Sequence, residues 1–351
     1  MALEYKNDSD AAAAFEKFKK EVKNGKPARM YIICGKESYL KEYWLIELRK
    51  TLLDGVFDEF NHRRLDGEQL DIRKLEEAVE SLPSFAPFTL VEVRDYDLFK
   101  CIDEDASRLI ALISDLPEWC CLVFYYESMD FKTDKRRKKL YAALEAAGPV
   151  IRIDEQGRGQ LIRWIQRRFE AYGHDISDSN ADYLSFLCGG LMTNLLSEIE
   201  KISSYSSTKS ITREGIDAVA VPVLDAAVFS LTDSLAAHNY PKAVSVLSEL
   251  FLMKRDNPSQ ILAAVAAQFR RLYAAKIAKR LNRDTAFLKK VVSSNSDYYA
   301  RKLLSSCISM GEAYLASAIR LCAETDLQLK STTVGSEDLI ITLLVKLALR
   351  E

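Results

Sequence analysis

Two kinds of apolar spacing alternate along the first 154 residues of the chain. Short apolar runs at 29–34 (RMYIIC), 88–93, 120–126 and 150–153, with an extended piece at 62–65, read as strands. Runs that are apolar throughout belong to strands buried on both faces. Between them, helical spacing predicts helices over 9–24, 38–53, 71–82, 103–116 and 134–147. In the first of these Phe15, Phe18 and Val22 share one side. In the third Ile72, Leu75, Val79 and Leu82 do, and Pro83 ends it. Strand and helix in turn predict an α/β domain with a mainly parallel sheet covered on both faces.

The pattern changes at 154–160 (DEQGRGQ), a polar, glycine-bearing stretch that reads as a linker. No strand is expected beyond it. Helices are predicted at 161–172, 179–187 and 192–203, then a turn at 205–210 and a helical start at 212–219. Pro222 marks another break, and from 224 onward the spacing is helical. Ser259 is the expected N-cap of a helix with Ile261, Val265, Phe269, Leu272 and Ile277 on its apolar side. The last helix, 336–349, carries more apolar surface than a solitary terminal helix needs, which suits either bundling within the chain or subunit assembly. The expected division is an α/β domain at 1–154, a small helical domain at 155–221 and an all-α domain at 222–351.

Composition supports this organisation. A chain of 351 residues exceeds what one core supports, and its 48% apolar and 28% charged residues argue against extended disorder. Lys and Arg number 49 against 51 Asp and Glu, so any nucleic-acid contact must rest on a local patch. Seven cysteines, at 34, 101, 120, 121, 188, 307 and 322, include no CxxC pair, which suits a reducing compartment better than a disulfide framework or zinc site. The N-terminus lacks a signal-peptide apolar region, and no run of about 18 apolar residues exists to span a bilayer. The expectation is a cytoplasmic protein with no membrane partner.

A sheet of this kind invites a nucleotide at its first strand-to-helix turn. In the phosphate loop G-x-x-x-x-G-K-[ST], backbone amides cradle phosphates, the lysine reaches their oxygens and a hydroxyl holds magnesium. Here Gly35 and Lys36 stand in place, but Met30 occupies the first glycine's position and Glu37 replaces the hydroxyl residue. The strand at 120–126 runs into Tyr126 and Glu127 without an aspartate-glutamate pair to hold a metal and polarise a water. No G-x-G-x-x-G, H-E-x-x-H or G-x-S-x-G occurs, and the three histidines, at 62, 174 and 238, are scattered in sequence. No catalytic residue, bound cofactor or metal site is therefore assigned.

Two stretches read instead as interaction surfaces. At 81–95 (SLPSFAPFTLVEVRD), prolines narrow the backbone freedom on both sides of Phe85, so a side chain displayed there loses little further entropy on docking. The alternative is that Phe85 and Phe88 fold back over the strand as local core. At 131–140 (FKTDKRRKKL), Lys132, Lys135, Arg136, Arg137, Lys138 and Lys139 face a single acid, Asp134, and on a helix they would cover most of the circumference. Phosphate backbone, an acidic patch on another subunit, or water alone would satisfy them.

MYIICGKESYL, LPSFAPFTLVEV, DKRRKKLYAAL, CGGLMTNLLSEIEKI and AAVFSLTDSL, in that order and spacing, resemble the delta-subunit family of bacterial DNA polymerase III clamp loaders over essentially the whole chain. The resemblance implies an AAA+-like first domain without ATP-site chemistry, one that grips the sliding clamp (beta), and a last domain that joins a collar with the ATPase subunits (gamma/tau) and delta-prime. ATP and magnesium would sit on those partners, primed DNA would be met through the complex, and the chain would be a non-catalytic part of a DNA polymerase holoenzyme. In that family a leucine-phenylalanine pair after the proline of this turn enters a hydrophobic pocket of the clamp. Phe85 stands at the phenylalanine position and Ser84 where leucine is expected, which leaves Leu82 and Phe88 as candidates for the missing contact. The implied clamp-binding residues are Leu82, Pro83, Ser84, Phe85 and Phe88, with Lys135, Arg136, Arg137, Lys138 and Lys139 as a DNA- or partner-binding set. The chain also lacks the Ser-Arg-Cys motif that donates an arginine finger in neighbouring subunits. Two other readings remain beside this one, an NTP-dependent enzyme with a degenerate phosphate loop and a nucleic-acid-binding module built on the basic cluster.

Overall fold

Strands β1 (Met30–Cys34), β2 (His62–Asp66), β3 (Thr89–Arg94), β4 (Cys120–Tyr125) and β5 (Val150–Arg152) form one sheet in the order β2-β3-β4-β1-β5, with every pairing parallel. The structure, a computed structural model, describes residues 3, 8–53, 58–254, 257–294 and 296–349. Helices α1 (Asp8–Lys23) and α2 (Ser38–Leu53) cover one face of the sheet. A short α3 (Asp58–Asn61) leads into β2, and α4 (Ile72–Glu80), α5 (Asp103–Ser114) and α6 (Lys138–Ala147) cover the other face.

Side chains alternate between the two cores with the period of the strand. Met30, Ile32 and Cys34 join Val91, Leu122 and Phe124 under α4, α5 and α6, whereas Tyr31 and Ile33 join Leu90, Val123 and Tyr125 under α1 and α2. The adjacent cysteines obey the same rule, Cys120 pointing into the first core and Cys121 into the second. Two-sided burial explains why these strands are apolar throughout, and the fold is the mainly parallel α/β class expected.

One charge cluster interrupts the apolar sheet. Glu92 is 2% exposed, pairs with Nε2 of His62 at 2.9 Å and accepts a hydrogen bond from Nε of Arg94, with Arg64 at 3.6 Å. Burial pushes its carboxyl up, but the hydrogen bonds from His62 and Arg94 outweigh that and hold it below the usual carboxylate range.

The chain separates into two compact units, one running to Glu155 and taking in Leu191–Thr193, the other comprising Gln156–Gly190 and the residues from Asn194 onward. The second unit holds α7 (Arg158–Ala171), α8 (Asp178–Cys188), most of α9 (Met192–Tyr205), α10 (Arg213–Val219), α11 (Leu224–Ala236), α12 (Tyr240–Met253), α13 (Pro258–Arg280), α14 (Thr285–Val291), α15 (Asp297–Ser306), α16 (Glu312–Ser331) and α17 (Ser336–Leu349). Phe229, Leu250, Phe269, Leu272, Leu303 and Leu315 are among its core residues, and α17 supplies Ile340, Leu343 and Leu347 to it. Asp182, 2% exposed, accepts from Nε of Arg158, Oγ of Ser296 and the amide of Tyr298, tying α7, α8 and the start of α15 together. Among the described residues no single helix is long and apolar enough to cross a membrane; α10 and α11 pass together on length and composition but are bent by 110°.

Several sequence expectations need correction. The helix expected over 71–82 ends at Glu80, because a residue before proline is pushed out of the helical region, and Leu82 therefore leaves the apolar face. The helix expected over 134–147 begins only at Lys138: the carboxylate of Asp134 captures the Arg136 amide and guanidinium and holds the preceding residues in a turn. Arg158, placed in the linker, already opens α7. Two-residue strands β6 (Asp175–Ile176) and β7 (Ser210–Ile211) pair in parallel where no strand was expected. Asn257, not Ser259, is the N-cap of α13, because Pro258 takes the first helical position that its missing N–H suits.

Removing the Glu92 carboxylate leaves His62 without this partner and Arg94 with Glu127 and Glu42 alone. Glu92→Ala is expected to cost about 1–3 kcal/mol, read as a drop in the urea midpoint. Because the folded state holds this carboxyl low, its contribution is present above the unfolded carboxylate range and lost as pH falls. The gap between wild type and variant should therefore narrow in acid.

Candidate functional site

Residues 81–88 join α4 to the N-terminal end of β3. Asp71 caps the start of α4 by accepting the Arg73 amide at 3.0 Å, and at the other end the Ser81 amide returns to the Glu77 carbonyl at 3.1 Å. The connection is then held from outside by Asn61, the last residue of α3. Its fully buried side chain donates from Nδ2 to the Ser84 carbonyl and accepts the Ser84 amide on Oδ1, each at 2.6 Å. One side chain thus satisfies both backbone groups of the residue standing where leucine was expected.

Directly after this clamp Phe85 has φ +60°, in the left-handed region, and is 88% exposed. A phenylalanine there costs about 1–2 kcal/mol, so the turn must be held by its surroundings rather than by its own preference. Leu82 is 71% exposed, Pro83 is half-buried, and Ser84 is exposed at its side chain. Phe88 behaves differently: it is partly buried against the core that contains Leu90 and Cys121. Phe85 and Phe88 therefore part company, one displayed and one packed. Phe60, which the sequence reading passed over, is 57% exposed beside Asn61.

The first strand-to-helix turn lies at the C-terminal end of β1, hence at the opposite end of the parallel sheet. Gly35 has φ +113°, and a Cβ there would collide with the Ile153 backbone. The amides that a phosphate would need are engaged: Lys36 N–H donates to Oδ1 of Asp154 and Glu37 N–H to the Ile153 carbonyl, each at 3.0 Å. Glu37 itself is fully buried. Its Oε2 accepts the Met192 amide at 2.9 Å, its Oε1 has no hydrogen-bond partner, and burial pushes its carboxyl up. Lys41 is equally buried and donates to the Tyr126 carbonyl at 2.6 Å, with burial lowering its pKa. At the end of β4, Glu127 is held by Nη1 of Arg94 at 2.6 Å. Among the described residues no group of three or more His, Cys, Asp or Glu is placed to hold a metal ion.

The basic cluster occupies the connection after β4, at that same C-terminal end. Lys132, Lys135, Arg136, Lys138 and Lys139 are exposed there. Arg137 is built into the structure, donating to the Phe99 carbonyl at 3.2 Å and pairing with Asp103 at 2.6 Å. The cluster spans a turn and the first two residues of α6 rather than wrapping a helix.

Comparison with known proteins places the chain in a family. Residues 31–153 match the family model described as "DNA polymerase III, delta subunit", and residues 225–347 match "DNA polymerase III delta subunit, C-terminal domain". Together these cover more than half of the chain, which belongs to the DNA polymerase III delta-subunit family. The DNA polymerase III subunit delta of Bacillus subtilis is 23% identical over 266 residues, 73% of this chain and 75% of that one. A probable subunit delta of Aquifex aeolicus is 22% identical over 287 residues, 79% of each chain. The solved structure of the Bacillus subtilis DNA clamp loader delta protein shares the fold with a TM-score of 0.52 at 20% identity, covering 96% of this chain and 100% of that one.

The raised pKa of Glu37 sets a pH dependence opposite in sign to that of Glu92. The folded state holds the proton more tightly than the unfolded one, so this carboxyl subtracts stability as pH rises above the unfolded carboxylate range. Glu37→Gln, which removes the buried charge, is expected to melt higher than wild type at neutral pH, with an advantage that shrinks in acid.

Proposed function

We propose that this chain binds the sliding clamp of its own replication machinery through the 81–88 connection, and that it opens the ring or holds it open for loading onto primed DNA. The observation that carries this reading is Phe85, 88% exposed on a backbone turn that it would not adopt unaided. Family membership supports a replication partner, and Leu82 adds a second exposed apolar side chain. Burying one phenylalanine in a partner's pocket is worth about 1.5–3 kcal/mol, roughly ten- to a hundredfold in affinity. Opening a ring requires more than tight docking. The chain must bind the distorted clamp edge better than the closed one, and the opening can be no larger than that difference allows.

In the same reading ATP and magnesium act on partner subunits of the gamma/tau type. The present chain contributes no hydrolysis, which the engaged amides at Lys36 and Glu37 and the buried Glu37 carboxylate support. The three-part division at 1–154, 155–221 and 222–351 is retained, with the last part joining a collar with those subunits and delta-prime in the cytoplasm. The exposed Lys132, Lys135, Arg136, Lys138 and Lys139 suit contact with phosphate or an acidic partner face, at the sheet end away from Phe85.

Binding of the full chain to the sliding clamp from the same organism tests the proposal. Phe85→Ala is expected to weaken it at least tenfold and Arg136→Ala to leave it unchanged; binding indifferent to Phe85 would contradict the wedge. Titration with ATP and magnesium is expected to show no saturable binding, and a saturable isotherm would favour a degenerate NTP-dependent enzyme.

A further inference from the structure

The leucine missing at Ser84 leaves the 81–88 connection with one fewer apolar contact than a leucine-phenylalanine pair would make. The structure places an exposed phenylalanine at the element that grips this very residue. Phe60 is 57% exposed and directly precedes Asn61 in α3, and the Asn61 side chain holds both backbone groups of Ser84 at 2.6 Å. Phe60 and Phe85 therefore flank one rigid link, each a single residue away from it in sequence, one on the segment before β2 and the other on the segment before β3.

We propose that Phe60 is a second aromatic anchor of the clamp-binding surface, in addition to the exposed Leu82, and that Asn61 is the positioning residue that sets Phe85 in its left-handed turn. This rests on the reading of 81–88 as the clamp-binding element. The partner that covers this surface is the sliding clamp, whose apolar pocket receives the exposed side chains. Three observations favour this arrangement over an anchor at Phe88. Phe88 is already partly buried in the core with Leu90, and withdrawing it would open that core. Phe60 is well exposed. Asn61 has no exposed surface of its own, so its two bonds to Ser84 can influence a partner only through the backbone they fix. β2 and β3 are neighbours in the sheet, paired from His62 with Leu90 to Asp66 with Arg94, so the connections entering them emerge side by side at one end.

The physical division of labour is specific. Without Asn61 the Ser84 amide and carbonyl turn to water, the connection gains conformers, and Phe85 returns to the negative φ that a phenylalanine prefers. A partner must then select the displayed conformer from a mixture, so apparent affinity falls by the fraction populated. Loss of Phe60 removes contact area directly and leaves the two Asn61 bonds to Ser84 in place.

The test is a double-mutant cycle on clamp affinity, run with the full chain and with thermal melting of every variant as the measure of folding. Phe60→Ala is expected to weaken binding about tenfold or more with little change in melting temperature. Asn61→Ala is expected to weaken binding comparably in the wild-type background and to have almost no effect in the Phe85→Ala background, since Asn61 acts through Phe85; amide hydrogen exchange at 84–86 should quicken in Asn61→Ala without the clamp present. A merely structural Asn61 would lower affinity equally in both backgrounds, and that result would overturn its positioning role. If wild type binds and Phe85→Ala weakens it while Phe60→Ala does not, the second anchor is refuted and the clamp reading survives. If wild type does not bind the clamp at all, the reading and the inference fall together.

Discussion

The three inner strands of the sheet, β1, β3 and β4, are buried on both faces, so along them only the connections at the two ends can present side chains to a partner. Each of these strands spends its alternate residues on one core or the other, as Met30 and Tyr31 or Cys120 and Cys121 show, whereas the edge strand β2 leaves Arg63, Arg64 and Asp66 exposed. Parallel pairing then sorts the connections. Those entering the strands gather at one end and those leaving them at the other, and in this chain the two ends have diverged in character.

The leaving end is closed. Gly35 still makes the tight turn that a phosphate loop needs, but its following amides are spent on Asp154 and Ile153, and the carboxylate of Glu37 is buried against the Met192 amide. Arg94 ties Glu92, Glu127 and Glu42 together across the same end. These contacts engage the backbone amides and the carboxylate of that turn within the chain itself. The entering end does the reverse. Asn61 and Pro83 use their bonding and rigidity to keep Phe85 out of the core, at a backbone conformation that a free chain would rarely populate. A preformed display of this kind lowers the ordering cost of binding, which is where a small apolar contact gains its effect.

Much of the architecture was legible in the sequence because two-sided burial writes itself as uninterrupted apolar runs, a mark that β1, β3, β4 and β5 carry, while β2 (HRRLD) showed only as a short extended piece and the four-residue α3 left none. The errors came where a local hydrogen bond or a proline overrode periodicity. Leu82 continued the apolar spacing of α4, yet Pro83 had already ended the helix. Asp134 drew Arg136 into a turn, so the basic residues lie mostly ahead of α6. Strands of two residues, as at Asp175–Ile176, are too short to carry any period. At the candidate site, the exposure of Phe85 and the packing of Phe88 follow from a left-handed turn that composition does not announce. The grip of Asn61 on Ser84, across 23 positions of sequence, has no signature in spacing at all.

The most direct measurement is amide hydrogen exchange of the full chain with and without the sliding clamp. Protection on binding is expected to concentrate at 58–62 and 81–88, with little change at 132–139 or around Gly35. Protection confined to 132–139, with 81–88 exchanging as freely as in the unbound chain, would contradict the claim that the entering end of the sheet is the surface this protein uses.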